Sequence, residues 1–118
     1  MQDFVLISVP WMLNQQVTTH DERGNIVPED GEYQRHGADV VFVFAEFLKA
    51  KGLLNPTVDV SRRPDLELRF SELTPIGQQF ARFALDKWMR SIGRAGLNKP
   101  VNDQGLERLW AKFTPKTA

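Results

Sequence analysis

Residues 68–91 read LRFSELTPIGQQFARFALDKWMRS, and the way this stretch changes period decides the fold. Leu66, Leu68 and Phe70 alternate with Glu67 and Arg69, the period of a half-buried strand. At Thr74-Pro75 the alternation stops. Thr74 is a good helix cap, because its hydroxyl can accept from an amide that has no partner within the helix. Pro75 suits the first helical position, where no amide donor is needed, and it disfavours helical geometry at Thr74. Ile76, Phe80, Phe83, Ala84, Trp88 and Ile92 then form one helical stripe, widened by Leu85 and Met89. Arg82, Asp86 and Arg90 are spaced as charged neighbours on the other side, and Gly93 is a plausible stop.

Upstream, Val58 and Val60 alternate about Asp59, and Arg62-Arg63-Pro64-Asp65 supplies turn residues, so residues 57–70 read as a β-hairpin. The segment before it, ADVVFVFAEFLKAKG (residues 38–52), reads as a helix capped by Asp39 and ended by Gly52 in a left-handed conformation. Val40, Val41, Phe44, Phe47, Leu48 and Lys51 share a face. Phe42 and Val43 point elsewhere, so its first turns are apolar nearly all round and require cover from the rest of the chain, a second copy or another protein.

The remainder is less regular. Residues 3–9 (DFVLISV) read as a buried strand stopped by Pro10, which opens a helical turn over Trp11–Gln16. Residues 17–27 read as a hairpin with its turn at DERGN, and residues 28–37 as a loop. Asp103 caps a last helix in which Leu106, Leu109, Trp110 and Phe113 follow helical spacing. The expected fold is α+β: a small, largely antiparallel sheet against three helices.

The 118 residues fit one domain, and 42% hydrophobic with 25% charged residues is ordinary globular composition. Cysteine is absent, which excludes disulfides, thiolate metal sites and a cysteine nucleophile. Phe4–Val9 has no basic leader and is too short for a signal core, so the expectation is a complete cytoplasmic protein without a membrane segment. The net charge is zero but uneven: residues 1–38 carry two basic against six acidic side chains, and residues 82–118 eight against three. Such asymmetry steers association with a charged partner.

The order Lys51-Gly52-Leu53, a hairpin about residues 62–65, then Leu73-Thr74-Pro75-Ile76-Gly77 resembles the winged-helix regulators of the multiple-antibiotic-resistance and phenolic-acid-response types. The match spans about residues 44–80. The resemblance implies a winged-helix-like centre, a helix laid in the DNA major groove, and Arg62 and Arg63 at a wing tip reaching the minor groove. The helix at 39–51 departs from that pattern. Base reading needs Arg, Asn, Gln, Ser or Lys in its first turns, and this chain offers Val40, Val41, Phe42, Val43 and Phe44.

Chemical motifs are few. His20 with Asp21 and Glu22 could touch a metal, but a solvated hairpin tip accounts for the same residues. No serine has a histidine and carboxylate beside it in sequence, and there is no phosphate-binding glycine motif. No catalytic residue, cofactor or metal is expected. Trp88 and Trp110 fit helix core stripes, whereas Trp11 does not. The expected function is non-catalytic binding of another protein, of the small immunity or antitoxin type. In that reading Asp21, Glu22, Glu29, Asp30 and Glu32 face a basic toxin domain and Phe42 serves as an apolar contact, with a homodimer as another way to cover Phe42. The alternative is a dimeric DNA-binding regulator using Arg62 and Arg63.

Overall fold

A computed structural model describes residues 3–13, 18–20, 23, 26–28, 32–95 and 100–113. In chain order the elements are β1 (Val5–Ser8), α1 (Val9–Leu13), β2 (Thr18–His20), β3 (Ile26–Pro28), α2 (Glu32–Ala50), β4 (Glu67–Arg69), α3 (Pro75–Ala95) and α4 (Gln104–Lys112), with one 3-10 turn at Phe70–Glu72. The class is α+β, with four α-helices among the described residues where three were expected. No helix among the described residues is long and apolar enough to cross a membrane.

The Thr-Pro junction forms as its chemistry dictates. Gly77 N–H donates to Thr74 Oγ1 at 3.1 Å, and Gln78 N–H to Thr74 O at 2.8 Å. The junction is also a tertiary joint. Thr74 N–H and Thr74 Oγ1 both donate to Leu53 O, at 2.9 and 3.2 Å. Gly77 sits against that same carbonyl so closely that a Cβ would collide with it. The glycine is there because backbone passes backbone.

α2 ends in a left-handed glycine, Gly52 at φ 70°. Leu53 N–H reaches back to Leu48 O (2.9 Å) and Gly52 N–H to Lys49 O (3.1 Å), which satisfies the last carbonyls and aims Leu53 at α3. The start of α2 differs from the sequence reading. It begins at Glu32 rather than near Asp39, so residues 32–37 are helix, not loop. Gly37 would ordinarily weaken a helix. Here its missing side chain admits Met12 of α1, whose Cβ would lie 3.1 Å from an added Cβ, and that packing carries the helix through the glycine.

The expected hairpin over 57–70 is also corrected. Residues 57–66 form no strand. Asp59 accepts from both the N–H (3.0 Å) and the hydroxyl (2.9 Å) of Ser61, a local turn that competes with strand geometry. Lys49 Nζ donates to the carbonyls of Pro56 (3.0 Å) and Val58 (2.8 Å), folding this segment onto the end of α2. β4 pairs instead with β1, antiparallel, with Val5 opposite Arg69 and Ser8 opposite Glu67. Two steps from Val5 to Ile7 face one step from Arg69 to Leu68, so Leu6 is the extra residue of a bulge. Bonds from Phe70 N–H to Phe4 O (3.0 Å) and from Val9 N–H to Leu66 O (2.8 Å) extend the zipper at both ends. Ser8, buried at the strand's end, accepts from Trp11 N–H at 3.2 Å and so caps α1, which opens at Val9, one residue before Pro10.

The hairpin expected over 17–27 corresponds to β2–β3, with Thr19 opposite Val27. The core lies around α2. Val41, Phe44, Ala45 and Leu48 are wholly buried with Phe80, Ala84 and Leu106. Trp88 stacks on Phe44 (5.8 Å), and Trp110 and Phe113 meet Phe80 edge-on at 5.2 and 5.3 Å. Full burial of each such side chain contributes on the order of 2 kcal/mol. α4 docks close because Gly105 lets its first turn lie on the Trp88 ring, and Lys51 to Glu107 (3.1 Å) ties it to α2.

Candidate functional site

Three regions carry candidate functional side chains, two of them singled out by sequence. The first joins residues that belonged to opposite readings. Arg62 donates through Nη2 to Glu46 Oε1 (2.9 Å) and through Nε to Oε2 (3.3 Å), a two-point grip on one carboxylate. Its guanidinium lies over the Phe42 ring at 5.5 Å. The Glu46 hydrogen bond pushes the Arg62 pKa further up. Arg63 is held by Asp59 (3.1 Å) and Asp65 (3.0 Å). Hydrogen bonds from Ser61 hold the Asp59 carboxyl below its usual range. Both arginine charges are therefore matched by carboxylates of the chain itself. Phe42 is half-buried beneath Arg62, while Val40, Val41, Val43 and Phe44 are buried.

The second region is histidine-centred. His36, on α2, has a buried Nε2 with no hydrogen-bond partner. It borders a hollow of about 210 Å³ shared with Trp88, Ser91 and Arg108. His20 lies in β2, and its sequence neighbours Asp21 and Glu22 fall outside the described residues. Among the described residues no three His, Asp or Glu side chains converge as metal ligands would. Of the other acidic candidates, Glu29 and Asp30 also fall outside the described residues, and Glu32 is the first residue of α2.

The third region was not singled out by sequence. Trp11 is 60% exposed, Phe4 46% and Val5 41%. A groove of about 410 Å³ is lined by Val5, Leu6, Ile7, Ser8, Trp11 and Glu67. The strand under it is firmly anchored. Asp3 accepts from Arg69 Nε (2.7 Å) and Ser71 N–H (3.0 Å), and these partners hold its carboxyl down at about 2. Phe4 stacks on Phe70 at 4.8 Å, and Arg82 lies over Phe70 at 4.9 Å. Arg69 also meets Glu67 at 3.3 Å, so one cation serves two carboxylates. The signal available in sequence was Trp11 itself, an aromatic residue outside every apolar stripe.

A groove with Val5 and Trp11 exposed on its wall and the Glu67 carboxylate beside them offers contact area and charge. No protein-family model, no curated protein and no solved structure matches the chain.

Proposed function

We propose that the protein is a non-catalytic protein-binding protein, of the small cytoplasmic immunity or antitoxin type, that occludes a basic partner such as a toxin domain. The observation that carries this reading is the exposure of Trp11 and Val5 on the wall of the groove beside β1. Large aromatic side chains left in solvent around a concave surface are the usual anchors of a protein interface. Glu67, which lines the groove and shares Arg69 with Asp3, offers a carboxylate to a cationic partner. A steric block needs no catalytic group.

The DNA-reading alternative requires an accessible helix and free cations. Here the helix preceding residues 57–66 is the core of the protein, and Arg62 and Arg63 are paired internally. The geometry therefore favours protein over duplex.

The test is recovery of the tagged protein from cells that express it naturally, followed by assay of whatever co-purifies in stoichiometric amount. The expected result is a basic protein whose own activity is suppressed in the complex and restored when Trp11→Ala weakens it. Absence of any stoichiometric protein, together with duplex binding that falls steeply with salt, would reject the reading.

A further inference from the structure

The hollow beside His36 gathers polar groups that the chain itself leaves unpaired. It measures about 210 Å³ and is walled by residues of α2, α3 and α4. Trp88 is 1% exposed, and its indole N–H makes no hydrogen bond among the described residues. The Nε1 edge of that ring faces the first turn of α4. Nε1 lies 3.6 Å, and Ser91 Oγ 3.9 Å, from the point that a Cβ on Gly105 would occupy. His36 Nε2 is buried on the α2 side, also without a partner. Buried polar groups are nearly always hydrogen-bonded, so two unpaired ones beside one hollow point to a ligand that enters it.

The chemistry of the wall selects the ligand. An indole, a guanidinium and a main-chain N–H can only donate. Arg108, which borders the hollow, forms no ion pair among the described residues. Asp103 does not cap α4 with its side chain, and Gln104 N–H turns to Asn102 Oδ1 at 3.0 Å. The Gly105 N–H, in the first turn of α4 and on the hollow's wall, has no partner within the helix. No aspartate or glutamate is among the described residues of the wall. The described carboxylates of these helices act elsewhere. Asp86 pairs with Arg90, Glu107 with Lys51 and Glu46 with Arg62. Asp39 also acts on Arg62, and Asp103 lines a separate hollow with Glu107.

We propose that this hollow binds the phosphoryl group of a small phosphate monoester. Polar groups reach it from three helices, which suits the tetrahedral spread of phosphoryl oxygens better than the single plane of a carboxylate. Arg108 supplies the positive charge, and Ser91, Trp88 and Gly105 supply neutral donors at the α4 N-terminus. The volume exceeds the roughly 150 Å³ cavity that takes benzene, so a short organic remainder fits as well. Ile92 and Val101 give that remainder an apolar wall. None of these residues lines the β1 groove, so the site stands independently of the protein-binding reading.

The experiment titrates the full chain with glycerol phosphate, inorganic phosphate and acetate at constant ionic strength. Binding is read by calorimetry and by proton–nitrogen NMR of the indole and amide signals. Glycerol phosphate should bind saturably and shift the Trp88 indole and Gly105 amide signals together. Inorganic phosphate should bind no more tightly, and acetate at least about tenfold more weakly. Arg108→Gln should weaken glycerol phosphate at least about tenfold, and Ser91→Ala a few-fold. Both side chains are exposed, so their loss leaves the fold intact. Arg94→Gln, which removes an exposed cation of α3 outside the hollow, should change nothing. No saturable binding of glycerol phosphate overturns the proposal. So does binding that leaves Trp88 and Gly105 unshifted, or that survives Arg108→Gln. An equal loss with Arg94→Gln would mean general attraction to positive charge and likewise overturn it. Equal binding of acetate, or phosphate bound while its ester is refused, overturns it too.

Discussion

Arg62 grips both carboxylate oxygens of Glu46 while its guanidinium covers the Phe42 ring. One side chain thus closes an apolar gap on α2 and consumes a charge that the winged-helix resemblance would assign to DNA. The arrangement is exposed to solvent, with the side chains of Arg62 and Glu46 retaining 54% and 44% of their accessibility, so its energy is modest. A double-mutant cycle with Arg62→Ala and Glu46→Ala should give a coupling of about 0.5–1 kcal/mol by urea denaturation, the range for well-aligned surface pairs. Arg62→Ala alone should cost more than Glu46→Ala, because it also uncovers Phe42. Zero coupling would show that the arginine is not committed to Glu46.

The two glycines of α3 should respond in opposite directions. Gly77→Ala places a methyl group into the Leu53 carbonyl and forces the α2–α3 joint apart, at a cost of about 2 kcal/mol or more. Gly93 has open space around it, so Gly93→Ala should stabilise by about 0.5 kcal/mol through helix propensity. Denaturant midpoints of the two variants check this. Equal effects would mean that the close approach at Gly77 is not real.

Asp3 makes the attachment of β1 sensitive to acid. Its carboxyl lies at about 2 in the folded chain against an ordinary 3.8, chiefly because of Arg69 and secondarily because of Ser71. A carboxylate whose pKa falls on folding stabilises the fold above its unfolded pKa. That contribution fades as the pH drops from about 4 to about 2. Asp3→Asn should therefore flatten, over that window, the loss of stability with falling pH. Asp59, also lowered, leaves some slope behind. An unchanged pH profile in Asp3→Asn would contradict the Arg69 contact.

How much of this was legible in the sequence depends on the range of the cause. Thr74, Pro75 and Gly52 act on their immediate neighbours, and their roles were readable from residue type alone. That Val40, Val41, Val43 and Phe44 needed cover followed from an apolar run with no polar face, but that the chain itself supplies it was not readable. The partner of β4 was not readable, because alternation specifies a strand but not what lies beside it, and β1 is some sixty residues away in the chain. The segment at 57–66 misled for a related reason. Val58 and Val60 alternate as a strand would, yet Lys49 and Ser61 hold the backbone in turns. The start of α2 was obscured by Gly37, whose purpose is visible only with Met12 beside it. Trp11 already stood outside the apolar stripes in sequence, but the groove beside it was not readable, because Glu67 joins Trp11 there only through the pairing of β1 with β4.

Site-specific photo-crosslinking in living cells tests the central claim most directly. A benzophenone amino acid would be installed in place of Trp11 in one sample and in place of Arg63 in another. The account predicts a discrete protein adduct from position 11 and none from position 63. Adducts to DNA from position 63, with position 11 silent, would contradict it.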